Sequence, residues 1–396
     1  MSDKIVVGLD IGTTKVCAVV ATSDELDRVQ ILGVGVAESE GLNRGVVVNI
    51  DKTVAAVRAA IEEAERMAGV TVRNVIVGIA GDHVQSFQSR GVITISSRDG
   101  EISENDVQRL LEDTTHVAMP ADREILHVIP QEFIVDGQDG VADPIGMSGV
   151  RLEANVHIIT GLVSAAKNIY RCVEKSGYEV ADIVLEPLGS SFAVLHKDEK
   201  EVGVALIDIG GGTTETALIS LGGVVALEAI RVGSFDLDNA IQGYVRREYG
   251  IAVGERTAEE IKILLGSAAP TDDEVSAEIR GRELMSGLPK TVVLTPEEVR
   301  SAIEEPVTAM VDSVLSCLAQ APPELAQDLI VEGIHLVGGG GLLRGMDLRL
   351  AQDSEVMVRR VQSPLETVVL GAGKVIEHYE SVQAMFMEGN ASGRRR

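Results

Sequence analysis

The feature that most restricts how this chain can fold is a stretch that occurs twice, about 200 residues apart. Residues 5–14 read IVVGLDIGTT and residues 204–214 read VALIDIGGGTT. Each copy begins as a short apolar run suited to a buried strand, breaks at an aspartate and glycines, and resumes as a second apolar run at residues 16–21 or 216–219. The pattern predicts strand, tight turn, strand in both places, and hence two similar halves. Two unrelated glycine turns would account for either copy alone, but not for the paired Asp-Ile-Gly and Thr-Thr.

The residue types at these turns suit phosphate chemistry. Glycine lets backbone N–H groups approach an anion closely, and threonine hydroxyls add donors. Gly12, Thr13, Thr14 and Gly210, Gly211, Gly212, Thr213, Thr214 are the candidates, with Lys15 either a point charge on a phosphate or a solvent-facing side chain. Asp10 and Asp208, just before the turns, are placed to hold a hydrated Mg²⁺ facing the same phosphates. A third glycine cluster, Gly338, Gly339, Gly340 and Gly341, follows a strand-like run and precedes a helical stretch reaching Leu350. By itself it is a flexible turn as readily as a site; after two phosphate hairpins it reads as the wall against which a nucleoside lies.

At 396 residues the chain has room for two or three domains of roughly 150 residues. With 45% hydrophobic and 24% charged residues it is globular rather than disordered. A net charge of −26 repels phosphate backbones, so nucleic acid is not an expected partner. Cys17, Cys172 and Cys317 are odd in number and far apart, with no CxxC, and read as reduced core thiols. The first residues carry acid early and enter a strand at once, without a secretory pattern. No run approaches the roughly 18 to 20 apolar residues of a spanning helix, so a cytoplasmic location is expected, with any membrane contact peripheral.

The two hairpins, the Glu186-Pro187-Leu188 segment, the four-glycine turn and the run PLETVVLGAG at residues 364–373 together resemble the actin, Hsp70 and hexokinase superfamily. That resemblance implies an α/β, actin-like ATPase fold, in which two ribonuclease-H-like lobes close on ATP and Mg²⁺. Residues 129–138 (IPQEFIVDGQ) and 143–153 (DPIGMSGVRLE) resemble the bacterial division protein family FtsA, implying an FtsA-type inserted subdomain in the first lobe that joins neighbouring subunits in a filament. Read from its residues alone, the insert is a strand at 90–96, a helix opened by the capping-box pair Ser103 and Asp106, and two strands around a polar turn at 136–139. The second half, through REYG at 247–250, GERTAEEIK at 254–262 and GLPKT at 287–291, is similar to the filament protein MreB.

The expected organisation is a first lobe at 1–83 and 164–202, the insert at 84–163, a second lobe at 203–245 and 331–373 with a smaller subdomain at 246–330, and a C-terminal helix and basic tail at 374–396. In the families resembled, the helix carrying Glu259 and Lys262 reaches the nucleotide; the alternative is an ordinary solvated pair three residues apart. Glu186 resembles the residue that orients the attacking water, against a structural acid beside Pro187. The long helix from Pro296 has Thr295 as cap and Glu298 closing the box, with Pro306 expected to bend it. Val375, Ile376, Tyr379, Val382, Met385 and Phe386 form a modest stripe before Arg394–396, open to packing or membrane contact.

Three functions are open to such a chain. The inserted subdomain favours an FtsA-like division protein that polymerises and links the ring of its tubulin-like partner FtsZ to the membrane at the division site, with ATP hydrolysis a slow timer. The second half favours an MreB-like cell-shape filament. A soluble phosphotransferase is the third, and no polar cluster demands a second substrate.

Overall fold

The computed structural model describes residues 4–23, 29–97, 99–195, 199, 202–220, 223–271 and 275–361. In the first lobe β1 (Lys4–Ile11) and β2 (Lys15–Ser23) form the expected hairpin, with Asp10 opposite Cys17. β3 (Val29–Glu38) extends it as an antiparallel meander. A short ribbon of β4 (Leu42–Asn43) and β5 (Val46–Val47) leads into α1 (Ile50–Ala68), capped by Asn49, whose side chain accepts the Lys52 N–H. β6 (Asn74–Ile79) then joins parallel to β1.

The chain next leaves the lobe to build the insert: β7 (Gln85–Thr94), α2 (Glu104–Thr114), β8 (Arg123–Val135), β9 (Gln138–Val141) and β10 (Arg151–Leu162). Its sheet runs β7-β10-β8-β9, and the Ser103–Asp106 capping box is formed. Leu110 and Leu111 of α2 are buried on this sheet, with Val107 and Val117 packed alongside, as the helical spacing predicts. The polar turn is tighter than expected: Asp136 and Gly137 make it, both at positive φ, and Asp139 is already inside β9. β7 begins earlier than the predicted strand because its partner β10 is long enough to pair with it from Gln85 onward.

α3 (Val163–Ser176), β11 (Glu179–Leu185) and α4 (Glu186–Val194) complete the first lobe. The second lobe repeats the meander in β12 (Val204–Ile209), β13 (Thr214–Ser220) and β14 (Gly223–Ile230). A smaller subdomain follows α5 (Ser234–Tyr249): β15 (Ile251–Ala252), α6 (Glu255–Leu265), β16 (Ala277–Glu283) and β17 (Pro289–Leu294). α7 (Pro296–Leu318), α8 (Pro323–Glu332), β18 (Ile334–Val337), α9 (Met346–Ser354) and β19 (Val358–Arg360) close the described chain. The capping box of Thr295 and Glu298 starts α7, and the helix continues through Pro306.

The two main sheets have the same plan. One is β3-β2-β1-β6-β11 and the other β14-β13-β12-β18-β19, each a three-stranded meander with two strands added parallel to its first strand. The repeat in sequence is therefore a repeat of topology. Each lobe has its own core, and a third apolar cluster, with Leu185, Leu188, Leu206 and Val224, fills the seam between lobes and insert. All three cysteines are buried and unbridged, and burial pushes the Cys172 thiol up to about 11 and the Cys317 thiol up to about 12. The PLETVVLGAG run and the C-terminal stripe lie outside the described residues. Among the described residues no helix is long and apolar enough to cross a membrane.

α1 lies close on β3, with Ala60 and Ala64 against Gly35 and Gly33. A Cβ at Gly35 would sit 1.9 Å from the Ala60 carbonyl oxygen, and backbone cannot yield as a side chain tip would. Gly35→Val is expected to lower the unfolding free energy by about 2–3 kcal/mol. An unchanged urea midpoint would contradict this packing.

Candidate functional site

Both repeated turns close in the same way. The Gly12 N–H donates to the Lys15 carbonyl at 3.0 Å, and the Gly210 N–H donates to the Thr213 carbonyl at 2.9 Å. The turns face one another across the seam so closely that a Cβ on Gly211 would lie 2.6 Å from Thr14 Cγ2. Between them opens a cavity of about 480 Å³. Asp10, Gly12, Thr13, Thr14 and Lys15 line it from the first lobe, and Asp208, Gly210, Gly211 and Thr213 from the second. Gly338, Gly339 and Gly340 form a further wall, with Glu259 and Lys262 of α6 beside it. Gly338 is required twice over: its φ is +81°, and a Cβ there would be 2.3 Å from Asp208 Oδ1.

Besides Glu259, four carboxylates line this cavity: Asp10, Glu186, Asp208 and Glu215. Asp10 and Glu215 are buried and the other two partly so. Burial first, and their mutual repulsion second, push Asp208 up to about 7 and Glu215 up to about 8. Asp10 is raised to about 6 by burial, with Lys15 pulling it back. Glu186 is raised well above the carboxylate range by burial and by the Asp10, Glu215 and Asp208 charges around it. Such a group of desolvated acids is suited to a divalent cation. Among the described residues no three His, Cys, Asp or Glu side chains are grouped to clasp an ion directly.

Glu186 enters at the start of α4, against bare backbone: a Cβ on Gly78 would be 2.9 Å from its Cγ. Lys262 does not hang free beside Glu259. Its ammonium donates to Asp238 Oδ2 at 2.9 Å and to the Ser234 carbonyl at 3.3 Å, so the α6 face is tied to α5. Three predicted residues lie off the cavity wall. Gly212 packs under Arg44, Gly341 rests on Leu336, and Thr214 turns inward, its hydroxyl donating to the Val232 carbonyl at 2.8 Å. In a strand alternate side chains face opposite ways, which sends Thr214 into the core when Glu215 faces the cleft.

Glu215 is the acid that the sequence reading passed over. It lies directly opposite Asp208 in the β12–β13 register, where the first hairpin has Cys17 opposite Asp10. Carrying the hairpin pairing one step further would have found it. Its Oε1 accepts the Gly81 N–H at 2.7 Å, a bond from the first lobe to the second. Two surface ion pairs also cross the seam, Arg44 with Asp236 and Arg231 with Asp82.

Comparison with known proteins places the chain among relatives of one kind. The family model for the SHS2 domain inserted in FtsA matches residues 81–160, and that for the MreB/Mbl protein matches residues 160–384. The cell division protein FtsA of Pseudomonas aeruginosa is 40% identical over 366 residues, covering 92% of this chain and 84% of that protein. FtsA of Bacillus subtilis is 36% identical over 363 residues, covering 92% and 79%. Among solved structures, MreB5 of Spiroplasma citri bound to ADP superposes with a TM-score of 0.64 at 22% identity, over 96% of this chain and 98% of that one.

The raised carboxylates determine how stability depends on pH. A group whose folded pKa is above its unfolded value holds its proton more tightly when folded; its contribution is complete below the unfolded pKa and lost as pH rises through the folded one. For Asp10, Asp208 and Glu215 that window runs from about 4 to about 8. The melting temperature of the ligand-free protein is therefore expected to fall steadily between pH 5 and pH 8. Glu215→Gln, which removes the carboxyl raised to about 8, is expected to flatten the upper part of that fall; parallel profiles for the two proteins would show that Glu215 ionises normally.

Proposed function

The chain belongs to the FtsA family of cell division proteins, its second half being of the MreB/Mbl type, and from that premise we propose that it binds ATP with Mg²⁺ in the cleft, polymerises, and links the FtsZ ring to the membrane. Its fold is the actin-like ATPase fold with the FtsA-type domain inserted in the first lobe. The observation that carries the nucleotide reading is the pair of like turns that face each other across one cavity lined by acids.

In this reading the turns at Gly12–Thr14 and Gly210–Thr213 hold the phosphates from both lobes, and Lys15 adds a point charge. The Gly338–Gly340 wall lets the nucleoside lie against backbone, and Lys262, oriented by Asp238, serves the ribose side with Glu259. Mg²⁺ would offset the charge of the phosphates and of the Asp10 and Asp208 carboxylates. Glu186, which lies over Gly78 and beside Asp10, orients the attacking water. The bonds across the seam, from Gly81, Arg44 and Arg231, make lobe closure the variable that nucleotide state changes, and closure sets the subunit contacts of a filament.

FtsZ docks, in this reading, on the smaller subdomain. The tip between β16 and β17 leaves Leu284, Met285 and Leu288 exposed, Met285 at 96%, with Arg280, Arg282 and Lys290 on the strands beside them. Against a chain of net charge −26, that combination suits a partner segment carrying both apolar and acidic groups. Membrane contact, in this reading, falls to the C-terminal segment at 374–396, at the cytoplasmic face of the division site. The MreB/Mbl match over residues 160–384 also favours a second reading, a cell-shape filament without FtsZ.

Sedimentation decides between them. The purified chain is expected to pellet in an ATP-dependent manner and to co-pellet saturably with FtsZ polymers, while Asp208→Ala loses at least about tenfold in nucleotide affinity. ATP-dependent filaments that ignore FtsZ would replace the division reading by the cell-shape one; absence of nucleotide binding would end both.

A further inference from the structure

β8 of the insert carries three residues that reach out of its own module. His127 is 1% exposed, and its Nε2 accepts the Leu185 N–H at 3.1 Å. Leu185 ends β11 and immediately precedes Glu186, the first residue of α4, a helix without a side-chain cap at its start. Ile129, fully buried, packs in the seam with Leu185 and Leu188, and against Gly223, where a Cβ would be 2.6 Å away. The Gln131 side-chain amide donates to the Val224 carbonyl of β14, in the second lobe, at 3.0 Å. One strand of the insert thus grips both the strand end that directs Glu186 and the second lobe.

We propose that His127 is a positioning residue: its imidazole holds the Leu185 peptide, and with it the angle at which Glu186 enters the cleft, so that the inserted subdomain governs nucleotide hydrolysis without touching nucleotide. The inference rests on the reading of Glu186 as the residue that orients water. The Glu186 side chain lies over Gly78 and is hydrogen-bonded to Asp10, so a shift of the Leu185 peptide would change how it meets the cleft. Burial holds the imidazole neutral, depressing its pKa to about 3, so the ring remains an acceptor across the working pH range. A filament contact that shifts the insert would pass through β8 to the hydrolytic end of the site, coupling assembly to turnover.

The test uses the full chain with His127→Leu, which fills the space but accepts no hydrogen bond, and His127→Gln, whose Oε1 can take the place of Nε2. With ATP and Mg²⁺, the leucine variant is expected to lose about tenfold in kcat with KM within about twofold, and the glutamine variant to recover to within about threefold of wild type. Amide exchange at Leu185, measured without nucleotide, is expected to be about tenfold faster in the leucine variant alone. Wild-type kcat in His127→Leu, equal losses of kcat and KM in both variants, or unchanged exchange at Leu185 would each overturn the proposal. A wild-type chain that binds ATP but never hydrolyses it would instead sink the reading of Glu186, with the exchange measurement still deciding whether the tie exists.

Discussion

Four carboxylates meet where two lobes and two tight turns meet, and loss of water there makes each of them harder to ionise. Asp10 and Asp208 come from equivalent places in the two hairpins, Glu186 from a helix start and Glu215 from the strand opposite Asp208. Water would normally dissipate such charge; here the cleft is narrow and its walls are backbone and glycine, so repulsion acts at low screening. Lys15 and the Gly81 N–H offset part of it. What remains is an electrostatic debt at the seam that a cation with bound phosphates is suited to relieve.

The two-fold plan of the sheets explains why the acids and donors arrive in pairs. A meander followed by two parallel strands makes the first strand central in both sheets and puts the turn after it at the same end of each. When the lobes face each other the two turns become opposite sides of one cavity. Small residues then decide how close the sides can come: Gly211 against Thr14, and Gly338 against the Asp208 carboxylate. The insert adds a third body at this seam rather than an outlying appendage, since Ile129 shares a core with Leu185 and Val224.

Much of this was legible beforehand. Both hairpins, the capping boxes at Ser103 and Thr295 and the apolar face of α2 formed where the residues indicated. The candidate site was legible at its turns and acids, less so at its edges. Thr214 turns into the core, Lys262 is committed to Asp238, and Glu215 joins the acids although no turn chemistry marks it. These depend on which way a strand residue faces and on what another helix brings near.

The sequence by itself determined what is set by neighbours within a few residues: where strands turn, where helices are capped, and that the chain repeats itself. Those features come from backbone hydrogen bonds and side-chain periodicity, which are local. The tertiary structure alone decided which groups share the seam. Gly81 meets Glu215 across 134 residues, and Leu185 meets His127 across 58. Ionisation and orientation at the cleft follow from such meetings, because desolvation and charge repulsion depend on distance in space and not on distance along the chain.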